Sequence, residues 1–248
     1  MIWDMGQLKD FVYSLPDLEN GQCYLIMLAV RSKFAKEKYG VKIPDTVLER
    51  EVVYWYYDDW RDVFIRKVIK LAKLGECAEE EELYLVGKGN TRYVVGKDIL
   101  GILAVINPAD VRKALVDLCN KVISTAILGN DLKSIANIKK RWFGCLHRRS
   151  RRIFHTIDID DRSLLKPVLE RLKKYIMPYM VIETPNGYHV IVHLPSLGNR
   201  ARDYFREFVA KELRELDPSG ESIEYIKQGL EPIPGTLYCG HKVRLVMK

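Results

Sequence analysis

The sequence predicts an α+β protein, on three observations. Residues 151–248 alternate period-two and period-3.6 apolar runs in the order β-α-β-β-α-β. Asn186-Gly187, a strong hairpin-turn signal, separates the two middle strand runs. Residues 1–150 carry one continuous apolar run among several helix-period stretches, which reads as an N-terminal α/β unit ending in a basic helix.

In the N-terminal unit, residues 4–14 read as a short helix closed by Pro16 and the Asn20-Gly21 loop. Residues 23–30 form the longest apolar run. It is too short to cross a bilayer and predicts a buried strand that delivers Arg31 and Lys33 at its end. Val52, Val53, Tyr56, Trp60, Val63, Phe64, Val68 and Leu71 recur at helical spacing and predict one helix over about 48–74, its aromatic stripe packed inward. Residues 83–87 and 92–95 predict a hairpin around Gly87-Lys88-Gly89-Asn90, a turn whose amides suit a phosphate only weakly. A strand over 103–106 is expected to stop at Asn107-Pro108, where a helix to residue 128 begins. Residues 131–147 predict a helix that runs into Lys139, Lys140, Arg141, Arg148, Arg149, Arg151 and Arg152, with Trp142, Phe143 and His147 between them. Such a cluster is either a solvated face or a track for single-stranded nucleic acid, in which aromatics stack on bases.

In the second unit, residues 153–160 alternate as a strand, and 163–176 place Leu164, Leu165, Val168, Leu169, Leu172 and Ile176 on one helical face. Two strands over 179–183 and 188–194, a helix over 199–216 and a strand over 222–226 follow, with 242–247 extending the sheet. This order is that of a ferredoxin-like, or RRM-like, split βαβ sheet.

Composition bounds the rest. A length of 248 residues allows one large or two small domains. The net charge of +7 favours an anionic partner. Five cysteines with no CxxC pair read as reduced thiols, and no signal peptide is visible, so a cytoplasmic protein without membrane contact is expected.

The chemistry concentrates on 154–160. Side chains alternate along a strand, so Asp158 and Asp160 share a face while Ile157 and Ile159 take the other. Two carboxylates on one face of a central strand call for a cation, and oxygen ligands suit Mg²⁺ or Mn²⁺. His189 and His193 share a face of the following hairpin, where His189 is in reach of a nucleotide phosphate and a lone strand histidine is otherwise a structural hydrogen-bonder.

Three segments carry a resemblance: 154–161 (FHTIDIDD), 184–192 (TPNGYHVIV) and 233–246 (IPGTLYCGHKVRLV). In that order they resemble the motif regions of the archaeo-eukaryotic primase superfamily, the small catalytic primase subunits and primase-polymerases. The resemblance implies a DNA primase or primase-polymerase that joins nucleoside triphosphates on a single-stranded DNA template, with a second replication subunit as a possible partner. It makes Asp158 and Asp160 catalytic metal ligands and His189 a contact to the incoming nucleotide. The third acid falls on Glu224, the best-placed carboxylate of 222–226. Arg31, Lys33, Lys242 and Arg244 are candidates for phosphate contacts. Departures are visible: Gly187-Tyr188-His189 replaces the family's Ser-x-His, and Pro232 stands where an arginine is usual. Two other functions fit parts of the pattern. One is a non-catalytic nucleic-acid-binding subunit; the other is a rolling-circle-type nuclease with Tyr204 as nucleophile, for which the spacing of His189 and His193 is wrong.

Overall fold

The computed structural model describes residues 1–40, 44–80, 84–86, 92–128, 137–227 and 229–247. The fold is mixed α and β, and every strand pairing in the described residues is antiparallel. No helix among those residues is long and apolar enough to cross a membrane.

Helix α1 (Met5–Ser14) starts at Asp4, whose carboxylate accepts the Gln7 amide. Strand β1 (Gln22–Val30) follows, then α2 (Ser32–Tyr39), β2 (Thr46–Tyr54), α3 (Trp60–Glu80), the β3–β4 hairpin (Tyr84–Val86, Arg92–Val94) and β5 (Leu100–Asp110). All nine residues of β1 are buried because it lies between β2 and β5 and both its faces are covered. Tyr24, Ile26 and Leu28 meet Leu8 and Phe11 of α1 and Phe64, Val68 and Leu71 of α3. On the other face Cys23, Leu25 and Met27 meet Phe143 and Leu146 of α5 (Ile138–Arg148), which follows α4 (Val111–Leu128). A strand buried on both faces reads as a continuous apolar run, as this one does.

Two expectations fail here. The single helix over 48–74 is in fact β2 followed by α3. Residues 46–54 pair along the length of β1, from Val30↔Thr46 to Cys23↔Tyr54. The ladder overrides a helical spacing that arose by chance across the corner, and Tyr56, expected inside, is 59% exposed. Nor do Asn107-Pro108 end the strand. β5 continues to Asp110, and the register against β1 slips there, from Leu25↔Val105 to Cys23↔Ala109. The proline falls in the irregular stretch, where a missing N–H costs no ladder bond. The Gly87–Asn90 turn and residues 131–136 lie outside the described residues.

The second sheet is ordered β13-β7-β8-β6-β9. Its strands are β6 (Phe154–Ile159), β7 (Met180–Glu183), β8 (Tyr188–His193), β9 (Ile223–Ile226) and β13 (Arg244–Met247). Asp161 caps a 3₁₀ turn leading into α6 (Leu165–Leu172). Helix α7 begins at Ala201–Asp203, widens to a π-helix over Tyr204–Glu212 and closes over Leu213–Leu216. These helices cover one face, where Ile157, Ile159, Val190 and Val192 pack on Val168, Leu172, Phe208 and Leu213. The opposite face, with Phe154, Met180, Ile182 and Ile191, joins the core of the first unit. Asn107 stitches the two units: its amide donates to the Phe154 carbonyl and accepts from the Ile153 and Phe154 amides, at 2.8–3.0 Å.

The chain then returns to the first sheet. β10 (Leu230–Pro232) pairs with β5, as does β11 (Leu237–Tyr238), which carries β12 (His241–Lys242). Residues 230–242 therefore belong to the sheet of the first unit, although they follow the second in sequence.

His155 lies on the helix-covered face, 4% exposed, with Nδ1 2.5 Å from the Tyr225 hydroxyl. Burial, with Lys227 and Arg152 nearby, pulls its pKa from 6.5 down to about 4. A depressed base stabilises the fold above its unfolded pKa and loses that contribution as pH falls towards its folded one. Unfolding free energy is expected to drop by up to about 3 kcal/mol between pH 6.5 and about 4, at about 1.36 kcal/mol per unit. Urea midpoints across that range test this, and a His155→Gln variant with the same slope as wild type refutes it.

Candidate active site

The exposed end of β6 opens into a cleft of about 350 Å³ between the two units. One wall carries Asp158 from β6, Asp160 just beyond its end, His189 from β8, and the 184–186 turn. The facing wall carries Arg31, Ser32 and Lys33 at the N-terminal end of α2, with Phe34, Asp45 and Tyr238. Strand alternation therefore turns both aspartates into the cleft, as the spacing predicts. Arg31 and Lys33, expected as phosphate contacts, stand across from them.

Register fixes the acid wall. Asp158 pairs with His189 on one side and with Glu224 on the other, so all three side chains leave the same face. The Asp217 carboxylate accepts the Ser222 and Ile223 amides and so starts β9 in this register. Gly187 sets the hairpin: a Cβ there would lie 1.8 Å from the Ile159 carbonyl oxygen. Arg162 holds the same turn by pairing with Glu183 at 2.6 Å and donating to the Thr184 carbonyl at 2.9 Å. Because backbone blocks the Cβ, Gly187→Ala is expected to cost about 3 kcal/mol, checked by urea denaturation. A loss under about 1 kcal/mol means the turn relaxes freely.

His189 is held at both ring nitrogens. Nδ1 is 2.5 Å from Glu231 and Nε2 is 3.3 Å from Asp158. Burial works against the charged ring, but Glu231, followed by Asp158 and Asp160, outweighs it and raises the pKa above 6.5. Glu231 is 1% exposed and also accepts the Thr156 hydroxyl at 2.5 Å. It comes from β10 of the first sheet and reaches across to the second. Nothing in the sequence marked it: it is one acid in a three-residue strand, and only the pairing with β5 brings it under His189.

Asp158 has its pKa raised, by burial first and then by Asp160, Glu231 and Glu224, against the pull of His189. Its charged form is short of compensation, which suits a cation. Among the described residues no three His, Cys, Asp or Glu side chains converge as a ready metal cage. Mg²⁺ commonly takes one or two carboxylates and completes its shell with water and substrate phosphates, and the donor set of Asp158 and Asp160 fits that pattern. Glu224, expected as third ligand, is exposed beside Asp158 and is not among the cleft-lining residues.

Other expected contacts lie elsewhere. Lys242 sits 5.1 Å and Arg244 5.8 Å from the Trp3 ring, and neither lines the cleft. Three members of the basic cluster are paired: Lys139 with Glu49, Arg149 with Asp117, Arg151 with Glu19. Its aromatics are not a stacking platform, because Phe143 is core and Trp142 donates to the Tyr54 hydroxyl at 3.3 Å. His193 bonds Ser196 and packs at a tilt against the Phe154 and Tyr179 rings. Tyr204, the nucleophile of the nuclease reading, is fully buried on the helix-covered face, away from His189. No protein-family model matches the chain, and no characterised protein or solved structure is significantly similar to it.

Proposed function

We infer that the protein is a metal-dependent nucleotidyltransferase of the primase or primase-polymerase kind. The observation that carries this reading is the polarity of the cleft, with Asp158 and Asp160 on one wall facing Arg31 and Lys33 on the other, where Asp45 pairs with Arg31 and accepts the Ser32 amide. A nucleoside triphosphate with its divalent metal matches both walls: the metal meets the acids, and the phosphates meet Arg31 and Lys33, in the place where the Asp45 carboxylate now stands. The order β7-β8-β6-β9, with a helix after β6 and another after β8, supports an RRM-like sheet as the scaffold.

In this reading Asp158 and Asp160 hold the metal, which would activate the attacking 3′-hydroxyl and neutralise charge on the leaving pyrophosphate. His189, charged and fixed at Nδ1 by Glu231, would donate from Nε2 towards the phosphates once Asp158 turns from it to the metal. Arg31, now 3.2 Å from Asp45, and Lys33 orient the triphosphate tail.

The experiment is incorporation of labelled ribo- or deoxynucleotides on a single-stranded DNA template, with and without primer, in Mg²⁺ or Mn²⁺. Metal-dependent product is expected. No incorporation under any of these conditions would leave the non-catalytic binding subunit as the better reading.

A further inference from the structure

Behind edge strand β9 lies a second recess of about 330 Å³, between the end of α5 and residue 227. Its cations divide into two kinds. Arg149 makes a two-pronged pair with Asp117, both bonds 2.7 Å, and forms a neutral wall. Arg148, Arg152 and Lys227 have no carboxylate within ion-pair distance among the described residues. The Arg148 side chain donates to the Cys145 sulfur, at 3.3 Å. Three cations thus line one concavity whose one carboxylate, Asp117, is held by the two-pronged bond from Arg149 and also feels Arg148. Two imidazoles register the crowding: half-buried His147 is held below its ordinary pKa by burial and then Arg148, and buried His155 by burial and then Lys227 and Arg152.

The recess adjoins the catalytic cleft. Ile226 lines the cleft, and the next residue, Lys227, lines the recess. Arg152 stands two residues ahead of β6, the strand that carries Asp158 and leads into Asp160. β9, whose end supplies Ile226, is the edge strand of its sheet.

We propose that Arg148, Arg152 and Lys227 seat a backbone phosphate of a single nucleic-acid strand that passes β9 into the catalytic cleft. Arginine forks and a lysine suit a phosphodiester oxyanion, and among the described residues no Phe, Tyr or Trp lines the recess, His147 being its single ring, so the proposed contact is to the backbone and independent of sequence. The proposal rests on the nucleotidyltransferase reading for the role of the strand but not for its binding. It also sorts the basic cluster, since Arg148 and Arg152 act with Lys227 while the paired Lys139, Arg149 and Arg151 brace the fold.

The test is fluorescence anisotropy of a labelled single-stranded oligodeoxynucleotide, without metal or nucleotide, across a KCl series. Arg152→Ala/Lys227→Ala is compared with the charge-matched Lys166→Ala/Lys173→Ala on the far helix. All four side chains are exposed, so both variants are expected to fold. Removing two phosphate contacts should flatten the log–log salt slope by about 1.4 and weaken binding about tenfold at moderate salt; the control should change less than about twofold. Equal losses in the two variants overturn the proposal. A thermal shift with inorganic phosphate separates the sources: stabilisation lost in the recess variant while oligonucleotide affinity stays unchanged means a free-phosphate site, and overturns the strand. Wild-type strand binding that depends on the recess, without nucleotide incorporation, sinks the catalytic reading and leaves this one standing.

Discussion

Asp158→Ala/Asp160→Ala is expected to lose at least about a thousandfold in nucleotide incorporation while remaining folded. The metal contributes several kcal/mol of charge stabilisation in phosphoryl displacement, and every 1.36 kcal/mol is about tenfold in rate. Removing both carboxylates leaves no cation site opposite Arg31 and Lys33. A double variant that still incorporates nucleotide ends the assignment.

The milder Asp158→Asn gives an independent reading of the same site. The folded pKa of Asp158 is raised, so the native state binds the proton more tightly than the unfolded chain does. Stability therefore falls as pH rises from 3.8 through the raised value, and that deficit persists at neutral pH. Neutralising the group removes the deficit. Asp158→Asn should be inactive and more stable, by about 1 kcal/mol at pH 7 in urea, the pattern of a site that trades stability for function. A less stable variant would mean that the charge is already compensated in the folded protein.

The largest effect on stability belongs to Glu231. It is buried, accepts from Thr156 and His189, and ties one sheet to the other. Glu231→Ala leaves a charged imidazole and a hydroxyl without their acceptor in a dry place, and also opens a cavity. Breaking one side of such a pair costs about 3–5 kcal/mol. Glu231→Gln keeps the volume and an acceptor oxygen, so about half that loss is expected. Denaturant midpoints for the two variants check the order. If Glu231→Ala loses under about 1 kcal/mol, the contact is incidental to the fold.

The second unit was legible because its strands carry alternation that one covered face imposes. Ile157 and Ile159 must meet the helices, so Asp158 and Asp160 must turn the other way. The same logic reached His189 and the outward side of Glu224. It failed at β2, where a strand beside fully buried β1 needs no strict alternation, and the spacing of Val52, Val53, Tyr56 and Trp60 mimicked a helix. It failed at Pro108 because a bulge can absorb a proline without ending a strand. Glu231 was out of reach for a different reason. Its importance comes from residues 75 and 42 positions away, Thr156 and His189, and no local pattern encodes that proximity.

The return of residues 230–242 to the first sheet has an evolutionary consequence. Ile2 bridges Thr236, and Trp3 and Asp4 donate their amides to the Gly235 carbonyl, so the opening residues are woven against the closing ones. A recombination event that exchanged residues 151–248 alone would carry Glu231 along with His189 but set a foreign β10 against the native β5. The cleft is therefore inherited whole: drift in β5 or α1 constrains what the catalytic sheet can become, and neither half is a module that can be lent.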